Sequence, residues 1–141
     1  MNADVAPAVV ASDLWMALER LLRRLRTEHV LPLPHAAVLG RLDRDGAQTV
    51  SDLARAERVR PQSIAQSVRE LEARGLVRRR PDLRDRRRAL IELTHKGDAE
   101  LWADRDRREG WLAHEIERGL SLDEQATLAR AVARLGRLAD S

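Results

Sequence analysis

Arginine is the residue whose placement in this sequence could do the most chemistry. Arg78, Arg79, Arg80, Arg84, Arg86, Arg87 and Arg88 fall, together with Asp82 and Asp85, within the eleven residues 78–88. This stretch is +5 and the whole chain is +3, so the remainder carries a net −2. Of the 26 basic residues only Lys96 is a lysine, a preference that a GC-rich coding bias is able to produce without any functional meaning. The clustering is therefore a better clue than the net charge or the pI of 10.7. A dense patch of guanidinium groups suits a polyanion, and nucleic acid first of all.

A charge run is ordinarily solvated or disordered, so the residues bracketing it matter. Leu76–Arg80 reads as a strand and Ala89–Leu93 as its antiparallel partner, with a charged hairpin loop of about eight residues between them. In such a loop Arg84 and Arg86 lie nearest the tip. They are candidates for the minor groove, whose negative potential attracts arginine where it is narrow. Asp82, Asp85 and Arg87 are candidates for pairing within the loop and holding its shape.

Two short helices are expected just upstream. Thr49 can cap the first, with Asp52 three residues on, where the exposed amides and the positive end of the helix dipole favour an acceptor. Val50, Leu53 and Ala54 face inward. Glu57–Arg60 is the turn, and Pro61 sits in the first turn of the second helix, where proline is favoured. Ile64, Val68 and Leu71 form one buried stripe, and Gly75 stops the helix. Two short helices with a tight link, followed by a hairpin, make a winged helix-turn-helix.

The outward set near the start of the second helix is then Gln62, Ser63, Gln66 and Ser67. Residues in this position reach base edges in the major groove. Glutamine can bond bidentately to adenine, and serine to several partners. Arg69, further along, is placed for phosphate. Gln48, Thr49 and Ser51, at the first helix, can donate to phosphate, which positions a protein without reading sequence. Simple capping by Thr49 is the competing role.

Helices flank this core. Residues 1–11 read as a frayed arm, after which Ser12 or Asp13 can cap a helix carrying Leu14, Leu18, Leu21, Leu22 and Leu25 on one face. Pro32 and Pro34 separate it from a second helix running to about Asp43, and Asp45–Gly46 is a turn signal. Thr94 can cap a long helix from about His95 to Gly119. Ser121–Glu124 forms a capping box for a last helix with Leu128, Val132, Leu135 and Leu138 in one stripe. The first and last stripes are not part of a minimal winged helix and most simply pair with a second copy. A two-fold dimer would set its two reading helices about one DNA turn, roughly 10 base pairs, apart.

The expected architecture is therefore one mainly α domain with a small β-hairpin wing. Its winged-helix core spans about 34–94, with dimerisation helices at about 12–29 and 95–139. At 141 residues the chain can bury a real core. No apolar run approaches a membrane span, and Met1–Val5 lacks the pattern of a secretory signal, so a cytoplasmic location is expected. The absence of cysteine excludes disulfides and thiolate metal sites. With Trp15, Trp102 and Trp111 as its only aromatics, the chain is poorly supplied for single-strand stacking. No Gly-rich phosphate loop, nucleophile elbow or metal-hydrolase motif is present, so an enzyme is not expected.

Asp82-Leu83-Arg84-Asp85-Arg86-Arg87, followed by Leu93-Thr94 and Gly97, resembles the wing signature of the MarR family of bacterial transcriptional regulators. Leu71-Glu72-Ala73-Arg74-Gly75-Leu76-Val77 is similar to that family's recognition-helix exit, and Val50-Ser51-Asp52-Leu53-Ala54 to the helix before it. The resemblance implies a homodimeric winged-helix regulator of double-stranded DNA, usually a repressor, released in many members by a small aromatic or anionic effector. It makes Trp15, Arg24 and His35 candidate effector contacts. Glu28, His29, His35, His114 and Glu115 make a metal site conceivable, but without tight ligand spacing, so neither a metal nor a cofactor is expected. Arg60 departs from the small polar cap common before the proline, leaving that helix without a side-chain cap and offering a further phosphate contact. A non-specific architectural DNA-binding protein and a protein-binding winged helix are the alternatives.

Overall fold

Leucine and valine side chains from successive elements meet in one core, and their spacing explains why each element forms. The computed structural model describes residues 4–28 and 31–141. The order is α1 (Pro7–Leu25), α2 (Leu33–Asp45), α3 (Val50–Glu57), α4 (Pro61–Ala73), β1 (Val77–Pro81), β2 (Ala89–Leu93), α5 (His95–Gly119) and α6 (Leu122–Ala139). Val38, Leu39 and Leu42 of α2, Leu53 of α3, and Ile64, Val68 and Leu71 of α4 pack with Val77, Ile91 and Leu101. Three- and four-residue steps put each helical set on one face.

Helix α4 closes as its residues require. Gly75, at φ 73°, takes the left-handed position after α4. Its amide donates to the Glu72 carbonyl (3.0 Å), and that of Leu76 donates to Leu71 (2.9 Å). This double closure is the Schellman arrangement. It also moves the strand by one residue: the Leu76 amide ends the helix, so β1 starts at Val77 rather than at Leu76. β1 pairs antiparallel with β2, with Val77 opposite Leu93, Arg79 opposite Ile91, and Pro81 opposite Ala89. Gln48 adds a bridge on the other edge of β2, its amide donating to the Ile91 carbonyl at 3.1 Å and its carbonyl accepting at 2.7 Å.

The start of α5 is pressed against this junction. The Thr94 hydroxyl accepts from the Gly97 amide (3.0 Å) and donates to the Gly75 carbonyl (2.6 Å). A Cβ on Gly97 would stand 2.0 Å from the Leu76 carbonyl oxygen, so only glycine fits. Further along α5, Asp104 is fully buried, accepts from the Leu31 amide (3.1 Å) and lies 3.1 Å from Arg108. It opens the all-charged stretch 104–109, yet it falls three residues after the buried Leu101 and so shares that residue's helix face.

The first helix differs from expectation. It begins at Pro7, with Ala6 before it and no side-chain cap, and Ser12 and Asp13 lie inside it. Proline presets φ and lacks the amide that a helix start leaves unbonded, so it starts the helix earlier than either polar residue does. Neither α1 nor α6 contributes a buried residue. Val9, Trp15, Met16, Leu18, Leu21, Leu22, Val132 and Leu138 on them are exposed. Among the described residues no helix is long and apolar enough to cross a membrane.

Gly97→Ala is expected to cost at least about 2 kcal/mol of unfolding free energy in a urea titration, because the clash is with backbone. Gly110→Ala, whose Cβ meets nothing within 4 Å, is expected to leave stability unchanged or raise it by up to about 1 kcal/mol. Equal effects would contradict the close approach at Gly97.

Candidate nucleic-acid interface

The turn between α3 and α4 presents the first turns of α4. Arg58 ends α3 in the left-handed region, and Arg60 precedes Pro61 with no side-chain cap, as its sequence position implied. On α2, Arg41 ties down the end of α3 through Glu57 (3.0 Å) and the Ala56 carbonyl (3.4 Å). Its hydrogen bond to Glu57 holds that guanidinium still more firmly in the charged form. The first turns of α4 then face solvent with Arg60, Gln62, Ser63 and Gln66, and Arg69 follows on the exposed side. Ser51 is exposed as well.

Two expected members of this surface are placed elsewhere. Ser67 is buried, because it stands three residues after Ile64 and four before Leu71, which draws it onto the core face. Thr49 is buried too. Its hydroxyl accepts from the Asp52 amide (3.1 Å) and from the Arg88 guanidinium (3.2 Å), so it caps α3 and anchors the wing.

The wing's arginines sort into two groups. Arg78 and Arg80 both pair with Glu92, the latter at 2.8 Å. Arg79 meets Glu72 at 3.3 Å, Arg87 meets Asp85 at 3.3 Å, and Arg88 lies 3.7 Å from Asp52. Arg84 and Arg86 are exposed at the tip and have no ion pair among the described residues. The loop 82–88 is shaped by its own aspartates. Asp82 accepts from the Arg84 amide (3.0 Å) and Asp85 from the Arg87 amide (3.1 Å). Backbone bonds from Asp82 to the Arg88 carbonyl (3.2 Å) and from Arg88 to the Asp85 carbonyl (3.0 Å) complete it.

Arg78 first, and then Arg80, hold the Glu92 carboxyl below the usual carboxylate range. A depressed carboxylate steadies the hairpin above that range and stops doing so as pH falls through its lowered value. Reading single segments missed Glu92. The hairpin register, which sets Glu92 opposite Arg78, is the signal that finds it.

The three candidate effector contacts are not brought together. Trp15 borders an open cleft with Glu19, Leu22, Arg23 and Arg26. Arg24 lies 5.7 Å over the Trp111 ring and lines a different cleft, of about 470 Å³, between α1 and α5. There Glu115, hydrogen-bonded to Arg118 at 2.8 Å, has its carboxyl lowered by that contact. His35 is buried beneath α4, with Nε2 2.6 Å from Glu70. His29 lies outside the described residues. Among the described residues no three His, Asp or Glu side chains converge as metal ligands.

This geometry has counterparts among known proteins. The MarR family profile matches residues 31–89. An uncharacterized HTH-type transcriptional regulator of Mycobacterium leprae is 35% identical over 119 residues, covering 82% of this chain and 81% of that one. The chain belongs to the MarR family. An HTH-type transcriptional regulator of Mycobacterium tuberculosis is 36% identical, over 77% of this chain and 78% of its own. A solved protein of Pseudomonas aeruginosa PA01 superposes with a TM-score of 0.82 at 36% identity, over 95% of this chain and 96% of that one. Wild-type MarR of Escherichia coli, in its apo form, shares the fold at a TM-score of 0.75 and 21% identity, over 94% of this chain and 98% of that one. As a MarR-family member the protein is a DNA-binding transcriptional regulator with a winged-helix fold.

If the wing-tip pair meets DNA, replacing both Arg84 and Arg86 by alanine should lower the slope of log affinity against log salt by roughly two per protomer. The hairpin itself should persist, because neither side chain holds it. An unchanged slope in a fluorescence-anisotropy titration would exclude the wing tip from the interface.

Proposed function

We propose that this MarR-family protein is a homodimeric, sequence-specific repressor that reads a near-palindromic operator. The observation that carries the reading is the pair Arg84 and Arg86, left exposed at the wing tip on the same domain as the exposed polar start of α4. In this reading Gln62, Ser63 and Gln66 meet base edges in the major groove. Arg60, Arg69 and Ser51 meet phosphate, and the wing enters the neighbouring minor groove. Repression is the expected sense, because a dimer seated on a promoter denies that duplex to other proteins. Such a reader works in the cytoplasm, beside the DNA.

Surface area supports the dimer. One chain exposes 10629 Å². A compact monomer of 16.0 kDa would expose only about 7,400 Å². The excess, roughly 3,200 Å² per chain and twice that for a pair, is more than enough for an obligate dimer interface, which removes about 2,000–5,000 Å² or more in total. α1 and α6 contribute to it, because their exposed apolar residues find no cover within the chain. Burying those faces against a second copy sets two reading helices at a fixed separation, which makes half-site spacing a geometric consequence.

Release by a small aromatic or anionic effector is part of the proposal. Of the three candidate contacts Arg24 is the best placed, beside Trp111 at the cleft between α1 and α5. Trp15 is better placed for the dimer face, and His35 is occupied by Glu70.

Selection of bound duplexes from a random pool is expected to return two half-sites about one helical turn apart. Gln62→Ala should then relax preference at particular base pairs by about 1–3 kcal/mol, leaving other positions unchanged. Recovery of DNA without a preferred sequence would favour an architectural protein. No binding even at low salt would favour a protein-binding module.

A further inference from the structure

Glu70 is an exposed carboxylate on the reading helix, one turn after Gln66. A carboxylate facing phosphate weakens association, so affinity for DNA does not account for it. Its two oxygens are both engaged. Oε2 is 2.6 Å from Nε2 of His35, on α2. Oε1 accepts from Nε2 of Gln66, one turn earlier on α4, at 3.2 Å. His35 is only 6% exposed and its Nδ1 is buried with no partner among the described residues. Nε2 is the nitrogen that faces Glu70, and a hydrogen there lets the ring donate to the carboxylate. The His35 contact first, and then the Gln66 contact, hold the Glu70 carboxyl below its usual range. Glu70 is therefore an acceptor at neutral pH, tethered to a side chain that the core immobilises.

The consequence falls on Gln66. An ionised carboxylate only accepts, so the nitrogen end of the Gln66 amide must face it. One hydrogen of that NH₂ group goes to Glu70. The second hydrogen and the amide oxygen remain, and this donor–acceptor pair is what adenine N7 and N6–H require in the major groove. We propose that Glu70, braced by His35, is a specificity-determining positioning residue that orients the Gln66 amide for adenine. The assignment rests on the reading of α4 as the base-contacting helix. It gives the network His35–Glu70–Gln66 a role that touches no DNA through its first two members.

The test uses the full-length protein and duplexes from the random-pool selection, each varied one base pair at a time, with affinity for random duplex measured alongside. Gln66→Ala is expected to remove an adenine preference at one position of each half-site. Glu70→Ala should weaken the preference at that same position by about three- to ten-fold, the size of losing one preorganised side chain. Affinity of Glu70→Ala for random duplex should stay level or rise, because a negative charge has left the surface. Damage to the fold would instead lower both. The double variant should lose no more at that position than Gln66→Ala alone. Glu70→Gln, which keeps one acceptor oxygen, should recover part of the preference. Full retention of the adenine preference in Glu70→Ala would overturn the positioning role while leaving the regulator intact. A Gln66→Ala protein with every preference unchanged would overturn it too, even if Gln62→Ala shows that α4 reads bases. Failure of the unaltered protein to select any sequence would remove the base-reading helix itself.

Discussion

The approach of α5 to the Leu76 carbonyl is the contact on which the DNA-binding half depends. Gly97 allows it, and the Thr94 hydroxyl bonds at once to the Gly97 amide and the Gly75 carbonyl. The end of α4, the start of β1, the end of β2 and the start of α5 meet within a few residues. Each satisfies backbone groups that another leaves open, as buried polar groups require. Helix α4 and the wing therefore form one body with the base of α5. Asp104, buried ten residues after Thr94, ties the same helix to the Leu31 amide ahead of α2. α5 and α4 are thus joined through packed contacts rather than through a flexible link.

Charge within the wing follows a similar logic. Seven arginines in eleven residues would repel one another if all were free. Five have carboxylate partners, and those partners lie in β2, α3, α4 and the loop itself. The hairpin is thereby anchored to the domain by ion pairs on its flanks, and Arg84 and Arg86 are left exposed at the tip. Exposed ion pairs add little stability one at a time. Their value here is geometric, because they leave two of the seven guanidinium groups without an ion pair among the described residues.

Much of this was legible in the sequence, and the failures have physical causes. Pro61, Gly75, Thr94 and the capping box at Ser121 mark helix ends through local chemistry, and the structure has those ends there. Local chemistry also misled at Ser12 and Asp13, since Pro7 opens the first helix without a polar cap. Ser67 looked like a base reader because serine is polar, yet its place on the helix puts it on the core side. Asp104 was hidden in a run of charge for the same reason. Glu92 and Glu70 could not be found from their own segments. One needs the hairpin register and the other needs the packing of α2 on α4, both products of tertiary structure.

The most direct measurement of how this protein engages DNA is dimethyl sulfate protection on a selected duplex. The reagent methylates guanine N7 in the major groove and adenine N3 in the minor groove, so one experiment reports on both. The expected result is two patches of guanine N7 protection about one helical turn apart. Adenine N3 protection should flank them and be lost when Arg84 and Arg86 are both alanine. Protection spread evenly along the duplex, or minor-groove protection that survives that double substitution, would contradict a reading helix in one groove and a wing tip in the next.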